Sequence, residues 1–225
     1  MILSIHSATI GLADDEAYYW ALALKWRWGF AYHPPLLLWA IWISETLLSF
    51  PGLSEWTLRF PAILFSSLTL GLALIWAKEA FGERSGHWTR AAALIAFPGL
   101  FALSWMSVPD WPLIFFATLL MRASWHIAFL KLSREALYGL AIGIAGSLLS
   151  KFSGALLVFS CVLCLAPTMW RSHTKHDRHE ILAAGFAGIA LGLIPILVWN
   201  VLNGWLPILY QIQGRHDGAS SGALL

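Results

Sequence analysis

The chain is short of charge and of cysteine. Only 12% of its 225 residues are Asp, Glu, Lys or Arg, about half of the ~25% usual in soluble domains. With so little charge and a positive mean hydropathy, disorder and a nucleic-acid-binding module are excluded, and a polytopic membrane protein is indicated. Its two cysteines, Cys161 and Cys164, supply no disulfide framework. Both fall inside an apolar run and read as small core residues, not as a redox pair. What the chain has in abundance is hydrophobic side chains, 59% of the total, with 14 Trp among them.

Uncharged stretches locate the spans. Phe60–Ala77, Ala91–Pro109 and Phe152–Trp170 hold no Asp, Glu, Lys or Arg, and each is near the ~20 residues that cross ~30 Å of hydrocarbon. Trp111–Leu130 spans with Arg122 in its middle, Ala136–Ser150 is a short span, and Ile181–Gly214 holds one span and an apolar loop. Backbone groups in lipid pair internally, so the expectation is an all-α transmembrane bundle of about six helices. Eight of the 14 basic residues cluster in three alternate loops, around Lys78–Arg90, Lys131–Arg134 and Arg171–Arg178. Those loops are assigned to the cytoplasm, and the loops at Asp110, Lys151 and after Trp199 to the outside. Pro35–Phe50 is apolar but short, holds Glu45 and is bounded by prolines; a re-entrant or interfacial helix is preferred to a span. Residues 1–59 then form an external loop with juxtamembrane helices, 60–202 the bundle, and 203–225 the start of another external loop. Met1–Leu12 is too short to cross and lacks the basic start of a signal peptide, and the chain is expected to be incomplete at both ends.

The densest polar cluster is Asp14-Asp15-Glu16-Ala17-Tyr18-Tyr19-Trp20, with Tyr32-His33-Pro34-Pro35 beyond it. Adjacent carboxylates repel, which suits general-base work; a helix start capped by Asp14 or Asp15 explains the same residues. Asp110, in Val108-Pro109-Asp110-Trp111-Pro112, likewise reads as a cap or as a second carboxylate facing the same external cavity. Arg59 and Lys151 are external cations against the positive-inside trend, suited to phosphate or to lipid headgroups. Arg122 should face the bundle interior. His173, His176 and His179 are spaced three apart without a metal-site pattern of their own, and Gly139, Gly143 and Gly146 suggest close helix packing. Tyr18, Tyr19, Trp26 and Trp28 suit either a sugar face or the membrane interface.

Taken in order, Asp15-Glu16-Ala-Tyr-Tyr-Trp, Tyr32-His33-Pro34-Pro35-Leu36, Arg59-Phe-Pro61, Pro109-Asp110, Leu149-Ser-Lys151 and Trp199-Asn200 resemble the N-terminal portion of bacterial protein-mannosyltransferase-like glycosyltransferases of the GT-C superfamily. That group includes enzymes that move aminoarabinose from a polyprenyl phosphate to lipid A. The resemblance covers about residues 10–216. It implies an inverting transfer of a sugar from a polyprenyl-phosphate donor to a lipid A-like or protein acceptor, at the periplasmic face of a bacterial inner membrane. By similarity Asp15 would be the base that deprotonates or orients the acceptor, and Asp110 would assist it. Glu16, Tyr18 and Tyr19 are candidate substrate contacts, and His33, Arg59 and Lys151 would stabilise the phosphate that leaves. Some members hold a divalent cation through an acidic residue where Tyr32 stands here, so neither metal nor other cofactor is expected. Partners would be the donor, the acceptor and membrane lipids, without nucleic acid. A transporter or flippase segment built on Arg122 and the Gly-rich span, or a non-catalytic membrane partner, are the other readings of the same residues.

Overall fold

A run of 28 residues without a helix-stopping cap, Ser54–Phe81, carries the N-terminal part of the bundle even though Pro61 falls inside it. The structure is a computed structural model and describes residues 11–30, 33–48, 54–82, 86 and 104–209. Within these, the helices are α1 (Asp14–Ala23), α2 (Leu36–Leu48), α3 (Ser54–Phe81), α4 (Asp110–Phe129), α5 (Arg134–Ser150), α6 (Gly154–Ser172), α7 (Lys175–Leu202) and the single turn α8 (Leu206–Leu209). The fold is all-α, as its hydropathy requires.

Four of these helices, α3, α4, α6 and α7, are long and apolar enough to cross a membrane. The 17 residues of α5 rise only about 25 Å, so this helix sits among the others as a short central post. Residues 91–103 of the expected second span lie outside the described residues. Its last six, 104–109, are not helical; they form a turn that enters α4. Pro109 and Asp110 open α4 with Pro112 in its first turn, where a missing N–H costs nothing.

Glycine decides how closely α5 is approached. A Cβ at Gly143 would lie 2.8 Å from Leu120 Cα, and one at Gly146 would run into the Phe116 ring. On the other flank, a Cβ at Gly192 of α7 would come within 2.9 Å of Leu148. Small residues let neighbouring backbones meet where no hydrophobic drive exists between helices in lipid, and the expected packing role of Gly139, Gly143 and Gly146 is met. The core that results joins Leu120, Ile127, Leu140, Ile144 and Leu148 to Val158 and Ile181. Outward faces of α6 and α7 stay apolar and exposed, with Leu156, Phe159, Phe186 and Leu191 among them.

The contacts also fix direction. Arg59, near the start of α3, and Ser107, just before α4, both bond Glu16, while Glu79 near the end of α3 bonds Arg122 in the second half of α4. These two helices therefore run parallel. Thirteen residues make α2 too short to cross at about 20 Å; it lies against the start of α3, where Ser44 Oγ donates to the Thr57 carbonyl at 2.5 Å and Thr57 Oγ1 to Glu45 at 2.8 Å. Leu37, Leu38 and Ile41 of α2 bury against Tyr19 and Ala23 of α1 and Leu58 of α3. Both short helices thus sit at the end where α3 and α4 begin.

Candidate active site

At that end, α1 opens with three acidic residues in its first turn, a favourable place beside the helix dipole. The residue at the N-cap is Ala13, so Asp14 and Asp15 are helical residues and not caps. Both remain exposed, whereas Glu16 turns inward and is 0% exposed. Its carboxylate is gripped by Arg59 through two bonds, Nε to Oε1 at 2.8 Å and Nη2 to Oε2 at 2.6 Å. Backbone N–H groups of Ala13 and Ser107 donate to the same carboxylate, each at 3.1 Å. Arg59 is itself 0% exposed, donates to the Gly11 carbonyl at 2.9 Å and lies 4.7 Å from the Trp105 ring centre. Burial pushes the Glu16 carboxyl up, but the Arg59 bonds and the two backbone donors outweigh it and hold the group below its ordinary value.

Around this knot the polar groups open to the surface. Tyr19 Oη and His33 Nε2 are 3.2 Å apart, their rings edge to face, and the Tyr18 ring leans on Tyr19 at 5.5 Å. Burial, with the charges of Asp15 and Asp110 added, pushes the Tyr19 phenol up to about 12. Asp110 is 45% exposed and accepts from Lys151 Nζ at 2.8 Å, across the start of α4 and the end of α5. A groove of about 310 Å³, apolar apart from Ser44, lies between α2 and α3, bounded by Ile43, Leu47, Phe60, Leu64 and Phe65.

The named site residues thus separate by exposure. Asp15 is exposed and Tyr18, His33, Asp110 and Lys151 are partly so, whereas Tyr19 is buried and Glu16 and Arg59 form a fully buried pair. Ser107 escaped the sequence reading, and Trp105 entered it only as a tryptophan near a span end, suited to the membrane interface. Trp199 and Asn200 are spent on structure. Asn200 is fully buried and ties the end of α7 to α8 through the Ile208 N–H, while the Trp199 ring occupies the space that a Cβ at Gly29 would need. Arg122 does face the bundle, but at the opposite end, where it bonds Glu79 at 2.6 Å and Glu135 at 2.8 Å. Among the described residues no three His, Cys, Asp or Glu side chains are grouped to hold a metal ion; His176 meets only Glu180, at 3.5 Å.

A family model described as dolichyl-phosphate-mannose-protein mannosyltransferase matches residues 32–199. The chain belongs to this mannosyltransferase family. No curated protein matches it beyond that. Two solved structures share its fold: ArnT from Cupriavidus metallidurans in the apo state superposes with a TM-score of 0.76 at 17% identity, covering 94% of this chain and 42% of ArnT. The same protein bound to undecaprenyl phosphate gives 0.74 at 17% identity, over 93% and 41% of the two chains. The mannosyltransferase-family chain therefore spans about two fifths of the length of ArnT. With four crossing-length helices among the described residues, it is a multi-pass membrane protein.

Proposed function

We propose that this chain forms the N-terminal, base-bearing part of an inverting glycosyltransferase that takes its sugar from a polyprenyl phosphate and works at the external face of a bacterial inner membrane. The observation that supports the reading is the polar cluster at the end where α3 and α4 begin: Asp110 paired with Lys151 at 2.8 Å, Tyr19 against His33 at 3.2 Å, and the first turn of α1, which bears Asp15, tied to Ser107 through Glu16. In the reaction, an acceptor hydroxyl gives its proton to Asp15 as its oxygen bonds to the anomeric carbon. The bond from that carbon to the phosphate oxygen breaks, and polyprenyl phosphate departs with the electron pair. Lys151 pairs with Asp110 while its side chain stays about one-third exposed, a cation suited to the growing phosphate charge. Tyr18, Tyr19 and His33 would border the sugar.

Glu16 and Arg59 act differently in this scheme. Their mutual bonds leave no open face for substrate, and their role is to hold α1, and so Asp15, against α3 and Ser107. Lipid, with a lipid A-like glycolipid first, or protein is the acceptor class. A transport reading loses its main residue, because Arg122 is held by two carboxylates at the far end of the bundle.

The test is sugar transfer by the full chain from a polyprenyl-phosphate donor. Asp15→Asn is expected to lower the rate by at least ~100-fold, the usual worth of a general base, and Asp110→Asn by a similar or smaller factor, with the thermal midpoint unchanged. Transfer by Asp15→Asn at the parent rate, in a folded protein, would sink the proposal.

A further inference from the structure

Two cations at the site end have no use in the scheme above. Arg59 is bonded to Glu16 and Lys151 to Asp110, but Lys25 and Arg27 are exposed and form no ion pair among the described residues. They follow α1 in the segment Leu24-Lys25-Trp26-Arg27-Trp28, alternating with tryptophan. Both tryptophans belong to a larger aromatic group. The Trp26 ring stacks on Trp39 of α2 at 5.5 Å and 21°, meets Trp42 edge-on at 5.0 Å and Trp28 at 6.2 Å. Trp39 Nε1 donates to the Arg27 carbonyl at 2.8 Å, which locks the linker to α2.

The group is held rigidly and yet presented outward. Gly29 and Phe30, just after it, are buried, and the Trp199 ring at the end of α7 leaves no room for a side chain at Gly29. In contrast Trp26 is 42% and Trp28 60% exposed, next to Leu24 at 65%. A water-facing surface rarely shows so much fixed apolar area, and four tryptophans gathered at the end of a membrane-crossing bundle have the composition of an interfacial belt, with ring in the acyl boundary and N–H toward the headgroups. A neutral sugar face would account for the rings but not for two exposed positive charges between them. Negative phospholipid headgroups account for both, since each surface cation near an anionic leaflet is favourable.

We propose that the α1–α2 linker, with Lys25 and Arg27 interleaved in the Trp26–Trp28–Trp39–Trp42 group, is a docking surface for anionic phospholipid headgroups of the surrounding leaflet. This rests on the membrane fold and not on the transfer reaction. Through Trp199 and α2, the surface fixes the depth of α1, and with it the level at which Asp15 meets the membrane surface.

The experiment titrates the purified full chain in detergent with phosphatidylglycerol or phosphatidylcholine and counts retained lipid by native mass spectrometry. The parent chain should retain phosphatidylglycerol preferentially. Lys25→Gln and Arg27→Gln should each reduce that preference about fivefold, and Arg27→Lys should keep most of it. Trp26→Leu with Trp28→Leu should lower retention of both lipids while leaving the preference in place, which separates the rings from the charges. Equal retention of the two lipids by the parent, or an undiminished preference in the Gln variants, overturns the proposal. So does displacement of phosphatidylglycerol by inorganic phosphate at equal concentration, because a site for free phosphate would need no headgroup layer.

Discussion

Glu16 and Arg59 show how much one buried charge pair can decide. Alone, each would be costly to bury; together, with Ala13, Ser107 and Gly11 completing their hydrogen bonds, they are satisfied. Removing one partner leaves the other charge uncompensated. Arg59→Met is therefore expected to cost about 3–5 kcal/mol, read as a drop in the thermal midpoint of the detergent-solubilised protein, whereas Arg59→Met combined with Glu16→Leu should recover much of the loss. The same pair sets a pH dependence. Because the folded Glu16 carboxyl lies below its ordinary 4.5, its contribution is complete above that value and fades as pH falls through the lower, folded one. A thermal midpoint that drops on acidification below about pH 4.5 in the parent, and drops less in the double variant, is the expected outcome. Little of this was legible in sequence. Asp15, Glu16 and Arg59 stood out as polar residues in apolar surroundings, but a list of such residues does not say that Glu16 turns inward while its neighbour stays in water.

At the scale of elements, glycine spacing was the most informative feature. Gly139, Gly143 and Gly146 lie three or four apart on α5, so one helix face lacks side chains, and close packing followed from that alone. Gly143→Ala should destabilise by about 1–3 kcal/mol, since its Cβ would meet the Leu120 backbone, which cannot swing away. Gly185→Ala in α7 is the matched control, with no atom near its Cβ; it should be neutral or mildly stabilising through helix propensity. Urea or thermal unfolding of both variants checks the pair. Helix ends were read less well. Counting uncharged residues started α7 at Ile181, yet the helix begins at Lys175, because Thr174 and Asp177 cap each other's backbone N–H groups and charge does not stop a helix outside the hydrocarbon. The opposite error fell at 104–109, uncharged but not helical, where Pro109 and the Ser107 bond to Glu16 select a turn.

At the scale of the whole molecule, two ion-pair groups among the described residues lie toward opposite ends of α3. One is the Arg59–Glu16 knot; the other joins Arg122 to Glu79 and Glu135, with His126 at 3.0 Å from Glu79. The loop charges pointed to this polarity in advance, but the partner of Arg122 could not be named, since Glu79 lies 43 residues away and becomes a neighbour only once α3 and α4 pack in parallel. Cysteines placed singly at positions 15, 110 and 135, in a chain lacking Cys161 and Cys164, should divide accordingly. In intact cells a membrane-impermeant thiol reagent should label 15 and 110 and spare 135. Labelling of 15 and 110 from opposite faces would break the common site.

The bond between Ser107 and Glu16 spans 91 residues of sequence. A ribosome delivers Asp15 and its neighbours long before it delivers Ser107, so α1 emerges with only part of its anchorage available. Its carboxylate pair with Arg59 can close once α3 is made, but the last donor arrives only after the chain has come back to the end where it started. A nascent chain stopped short of Ser107 therefore carries the Glu16–Arg59 pair without the backbone donor that completes it.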